Sequence, residues 1–149
     1  MKRNQEREQA FALIFEKTFR NDSIDEILED AISAEAYTQS DYTELCFKGV
    51  FEKIDELDTL ISNNLSNWKI ERISKVALCI LRLAIFEMKF VDGVPVGVAI
   101  NEAVELAKKY TTSEDASFIN GVLGSISRAW YAVLLRNRYK QLYNLCGFV

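Results

Sequence analysis

Lys2, Arg3 and Arg7 open the chain, and Arg3 and Arg7, four residues apart, would project from one face of a helix. Cations there are disfavoured by the helix dipole, so a compensating role is expected of them. One role is to pair with phosphates. The other is that of a solvated helix terminus, with Glu6 and Glu8 as local partners. Far along the chain, Phe118 follows Glu114 and Ser117 near a predicted helix start, where a phenyl ring either fills the core or offers a face for base stacking.

Other chemistries lack their residues. The chain has no histidine, the commonest general acid and base near neutral pH. Cys46, Cys79 and Cys146 are odd in number and far apart, with no CxxC spacing, which argues against both a disulfide framework and a zinc site. Phosphate-binding glycine loops, nucleophile elbows and dinucleotide fingerprints are absent from the sequence. No catalytic function, cofactor or metal is expected.

The elements that position these residues are read as helices. The chain has 149 residues, 49% of them apolar, with one proline, Pro95, and six glycines. This suits one compact all-α domain better than a turn-dense β fold. Ala10, Phe11, Ile14 and Phe15 recur at helical spacing between about Arg3 and Phe19. Ser23 with Glu26 forms the pattern of a capping box opening a short second helix. A third is expected from Ser40 or Asp41 through Val50, Leu57 and Ile61. The segment from Ile70 to about Phe90 is apolar nearly all round, interrupted between Val76 and Phe86 only by Arg82, and should be central. Arg82 is expected to anchor backbone or a carboxylate such as Glu87 or Glu102, and Asn120 to tie adjacent helices together. After the turn at Asp92 to Pro95, a helix runs to Tyr110, and Thr112 and Ser113 offer caps for the next.

The net charge of -4 conceals an uneven distribution, since residues 21 to 67 hold twelve acidic groups against two basic ones. The remaining segments are each mildly basic. No apolar run is read as long enough to cross a bilayer and no signal peptide opens the chain, so a cytoplasmic location is expected.

Three blocks, ISKVALCILRLAIFEM, VAINEAVELAKKY and SFINGVL, in that order and spacing, together with the opening KRNQEREQAFALIFEKTF, closely resemble the NusB family of transcription antitermination factors. The resemblance implies one helical domain of two packed halves over residues 1–127. It also implies binding of boxA-type single-stranded RNA from ribosomal RNA leaders together with NusE, in contact with elongating RNA polymerase. The family's arginine-rich lead-in corresponds to Lys2, Arg3 and Arg7, its aromatic late in the first helix to Phe15, and its second RNA-proximal patch to Glu114, Ser117 and Phe118. Three departures stand out: the lead-in is diluted by Asn4, Gln5 and Glu6, and Gly97 and Gly124 replace a larger and an acidic residue. Alternatives are a helical protein-interaction adaptor, or a stand-alone relative of the RNA-recognition domain of rRNA cytosine methyltransferases.

Residues 128–149 extend past the resemblance. They mix Trp130, Tyr131, Tyr139 and Tyr143 with Arg128, Arg136, Arg138 and Lys140, and could form an added amphipathic helix with Tyr131, Leu135, Leu142 and Cys146 broadly on one side. Such a helix is expected to pack on the domain or across a homodimer interface. RNA contact or a membrane surface are further possibilities.

Overall fold

A computed structural model describes residues 1–67 and 69–145. These residues form seven α-helices: α1 Arg3–Thr18, α2 Ile24–Ser33, α3 Asp41–Glu52, α4 Ile54–Asn63, α5 Lys75–Phe90, α6 Val96–Tyr110 and α7 Ser113–Leu145. Helices α1 to α4 make one half and α6 with α7 the other. α5 lies between them, packed on α1, α3 and α4 on one side and on α6 and α7 on the other. An all-round apolar helix can be buried only in such a place, and nine residues of α5 are buried, from Ala77 to Glu87.

Several boundaries follow local chemistry. The Ser23 capping box is present, with Ser23 Oγ accepting from Glu26 N–H at 3.2 Å and Glu26 Oε2 accepting from Ser23 N–H at 3.0 Å. Thr112 rather than Ser113 caps α7, accepting from Asp115 N–H at 3.1 Å. Ser74 caps α5, so that helix starts five residues later than Ile70, and Ile70–Arg72 forms a separate 3-10 turn. The expected third helix is two: the chain turns at Lys53, and α4 swings so that Leu57 and Ile61 reach the core.

Gly49 lets α3 approach α5. A Cβ at this position would stand 2.1 Å from Cζ of Phe86, well inside contact distance. The surrounding core of Phe47, Val50, Ile80, Leu83, Ile119 and Leu123 is solvent-free or nearly so. Each large side chain of this kind contributes about 1.5–3 kcal/mol through removal of apolar surface from water.

Arg82 anchors a carboxylate as expected, but that of Asp58 and not of Glu87 or Glu102, and Glu87 turns to other partners. Arg82 pairs with Asp58 of α4, with Nε to Oδ1 at 2.8 Å and Nη2 to Oδ2 at 2.9 Å, a bidentate contact that fastens α4 to α5. Glu87 is 2% exposed and accepts from Nε of Arg7, at 2.8 Å and 3.1 Å to its two oxygens, and from the Tyr42 hydroxyl at 2.9 Å. This network joins α1, α3 and α5. Asn120 lies exposed on α7 and is not the expected tie; Ser125 instead donates to Asn64 Oδ1 at 2.8 Å.

The extension is not a separate helix laid on the domain. Residues 128–145 continue α7, and every residue from Tyr131 to Leu145 is exposed. Among the described residues its apolar stripe, with Tyr131, Leu135 and Leu142, is open to solvent. Cys146, expected on that stripe, lies outside the described residues. By length and composition α7 is also capable of crossing a membrane, which corrects the expectation that no run is long enough. From Ala116 to Leu135 its only charge is Arg128, and the interspersed glycine, serine and asparagine had masked that paucity of charge. The buried part of the same stretch, Ala116 to Ile126, supplies core side chains.

Removing the Glu87 carboxylate strands the Arg7 cation in the interior. Glu87→Ala is expected to lower unfolding free energy by about 3–5 kcal/mol in urea titrations. Cys46 provides an independent check: burial, reinforced by the charge of Glu87, pushes its thiol up to about 12. Native Cys46 should therefore resist iodoacetamide at pH 8 and react once the protein is unfolded, as read by peptide mass spectrometry.

Candidate nucleic-acid interface

The expected N-terminal cation cluster is divided by the fold. Lys2 is exposed just ahead of α1, its backbone N–H held by Gln5 Oε1 at 2.9 Å. The Arg3 guanidinium lies 3.7 Å above the centre of the Tyr42 ring and donates to Glu6 Oε2 at 2.8 Å. Arg7, in contrast, is 6% exposed and committed to Glu87. Burial alone would lower the Arg7 pKa, but the hydrogen bonds and charge of Glu87 outweigh it and raise it. A guanidinium so placed is structural, and this corrects its assignment to a phosphate-contacting surface: the i, i+4 spacing is consistent with one face, but α5 and α6 cover that part of it.

Further along α1, the aromatic residues form a ladder. Phe11 and Phe15 have ring centres 6.1 Å apart, and Phe15 and Phe19 meet edge to face at 5.0 Å. Tyr110, at the end of α6, extends the ladder from the other side, 5.1 Å from Phe11. Phe15 is half-buried and Phe19 exposed, so the ladder is anchored in the core at one edge and open at the other. Two cations flank it. Lys75 Nζ lies 4.6 Å over the Phe19 ring, and Lys109 Nζ lies 5.4 Å from the centre of the Tyr110 ring.

The second expected patch adjoins this ladder through the start of α5. Asp115 Oδ2 accepts from Ser74 Oγ at 3.1 Å and from Thr111 Oγ1 at 2.5 Å, which fixes the turn between α6 and α7 against the N-terminus of α5. Glu114, Asp115 and Phe118 then line a depression of about 230 Å³ with Arg72, Ile73 and Ser74. Phe118 is half-buried against the core, whereas Glu114 and Ser117 are exposed. Phe118 thus packs in part against the core and also borders an open, mostly apolar hollow.

The structure therefore brings Phe15 and the Phe118 patch to one side of the molecule, linked by Phe19, Lys75 and Ser74. It does not bring Lys2 and Arg3 to that side, since Arg3 is turned toward α3. Lys75, Lys109 and Tyr110 were missed in the sequence. The only signal was the cluster Lys108-Lys109-Tyr110 placed directly before a helix break, which is a common enough pattern to pass for a helix end complementing its dipole. Chemically, the surface can stack flat unsaturated rings and pair with anions.

The model of the NusB family matches residues 4–128. The chain belongs to the NusB family. The transcription antitermination protein NusB of Clostridium botulinum (strain Kyoto / Type A2) is 43% identical, with 85% of this chain and 99% of that protein covered. The NusB of Listeria monocytogenes serotype 4a (strain HCC23) is 40% identical over 85% of this chain and 97% of its own length. Among solved structures, T. maritima NusB superposes with a TM-score of 0.77 at 33% identity, covering 86% of this chain and 92% of that one. A NusB solved with NusE and double-stranded RNA gives 0.74 at 27% identity, covering 87% and 99%. The NusB match ends at residue 128, and α7 continues past it to Leu145.

If the flanking lysines hold phosphates, each contributes its own share of the salt dependence. Lys75→Gln and Lys109→Gln should each flatten the slope of log affinity against log salt by about 0.7 for a single-stranded RNA, measured by fluorescence anisotropy. Circular dichroism should show both variants folded.

Proposed function

We propose that this chain is a transcription antitermination factor that binds boxA-type single-stranded RNA in ribosomal RNA leader transcripts jointly with NusE. The observation that carries this reading is the aromatic ladder of Tyr110, Phe11, Phe15 and Phe19 flanked by Lys75 and Lys109, beside the Phe118 hollow. Unpaired bases stack on aromatic faces at about 1–3 kcal/mol each, and ammonium groups at the margin hold the backbone between them. Support comes from the NusB of like fold whose solved structure contains NusE and RNA. Lys2 and Arg3, exposed on the neighbouring side of α1, are assigned to the flanking RNA. Phe15, Glu114, Ser117 and Phe118 are assigned to the central segment.

In this mechanism the protein makes and breaks no covalent bond. It holds the nascent leader through the ladder, NusE completes the surface, and the assembly stays with elongating polymerase and suppresses termination. Such work on nascent transcripts is cytoplasmic.

Anisotropy of a labelled boxA RNA, with and without NusE and against a scrambled RNA, tests the proposal. A preference for boxA that NusE strengthens, and that Phe118→Ala weakens in a folded protein, is the expected result. Equal affinity for boxA and scrambled RNA with NusE present would sink it and leave a helical protein adaptor as the better description.

A further inference from the structure

One carboxylate at this interface sits directly on a cation that RNA would need. Glu8 stands on α1 one turn before Phe11, and its Oε1 accepts hydrogen bonds from both the Lys109 ammonium and the Tyr110 hydroxyl. These are the cation and the aromatic ring at the α6 end of the ladder. The pair is open to solvent, with the Glu8 side chain 33% exposed and that of Lys109 61% exposed. Lys109, and then Tyr110, hold the Glu8 carboxyl below the usual carboxylate range, so it is ionised at neutral pH. The neighbourhood adds no excess of positive charge: Glu102 and Glu105 share the adjacent depression with Lys108, Lys109 and Asn4.

We infer that Glu8 is an internal competitor for RNA phosphate, occupying Lys109 in the free protein and yielding it when a nucleic-acid backbone arrives. The inference rests on the RNA-binding reading above. Carboxylate and phosphate oxygens make the same kind of charge-assisted hydrogen bond to an ammonium group. An exposed ion pair is weakly held, so a phosphate can displace it, but the displaced carboxylate remains beside the ligand and repels it. Backbone contact alone is thereby penalised. An RNA gains net affinity only by also stacking on the open rings of the ladder, Tyr110 and Phe19 with the outer edge of Phe15, which makes Glu8 a residue that favours stacked over purely electrostatic binding.

Glu8→Gln isolates the effect, because the amide oxygen still accepts from the Tyr110 hydroxyl while the negative charge is gone. The variant should bind both boxA and scrambled RNA about two- to fivefold more tightly at low salt, the scale of one exposed charge pair. Its log–log salt slope should steepen by less than about 0.7, because the displaced Glu8 carboxylate no longer takes up a cation when Lys109 turns to phosphate. In a Lys109→Gln background the same change should give a clearly smaller gain, because only the repulsion and not the competition for Lys109 remains. Unchanged or weaker binding by a folded Glu8→Gln protein would overturn the inference, as would a gain of undiminished size without Lys109. The two readings fail separately: a wild-type protein that binds RNA without boxA preference defeats only the antitermination proposal. A Glu8→Gln protein no tighter than a boxA-selective wild type defeats only the competitor. No RNA binding by either protein defeats both.

Discussion

A single carboxylate in an apolar interior organises this fold. Glu87 sits on the helix that packs against α1, α3, α4, α6 and α7, and it is tied at once to Arg7 of α1 and Tyr42 of α3. A buried charge pair adds little net stability compared with apolar residues of the same volume, because desolvation cancels much of the attraction. Its value lies in direction. Apolar side chains would allow α1 to slide or rotate on α5, whereas the hydrogen bonds to Glu87 fix its register. Everything α1 presents outward, from Arg3 at one end to Phe19 at the other, inherits that register.

The interface depends on the same anchoring. With Arg7 turned inward, the next turns of α1 direct Phe11 and Phe15 toward the end of α6, and Tyr110 completes the row. Asp115 holds the α6–α7 turn on the first residues of α5, so Lys75 and the Phe118 hollow come up beside Phe19. Three separate chain segments thus meet at one surface through a few polar clamps. The rings themselves are backed by the core, which restricts their motion and reduces the entropy lost when a ligand is held.

α7 shows how one helix serves two environments. Its first half is a core element with buried Ile119, Val122, Leu123 and Ile126, and its second half is exposed, carrying Arg136, Arg138 and Lys140 with no acidic residue beyond Asp115. Read as composition alone, the two halves merge into one long, weakly charged segment suited to a bilayer. Burial separates them: the apolar character of the first half is already satisfied by α5 and α6.

Local order was legible in the sequence because it depends on residues three or four apart. The Ser23 box, the Thr112 cap, the break at Asp92 to Pro95 and the central position of α5 all follow from spacing and apolar content, and the ordered motifs from Ile73 to Leu123 sufficed for the family. The third helix was read too long because the apolar periodicity continues through Lys53 while the backbone turns. At the candidate interface, the resemblance pointed to Phe15 and the Phe118 patch, but the partners of charged groups were not legible. Arg7 meets Glu87 across 80 positions, Glu8 meets Lys109 across 101, and Arg82 chooses Asp58 over two nearer candidates. A sequence states which charges exist and which helical face they occupy. Whether a guanidinium ends in the core or in water is decided only when another helix arrives to cover it, since burial and long-range ion pairing are properties of the packed chain.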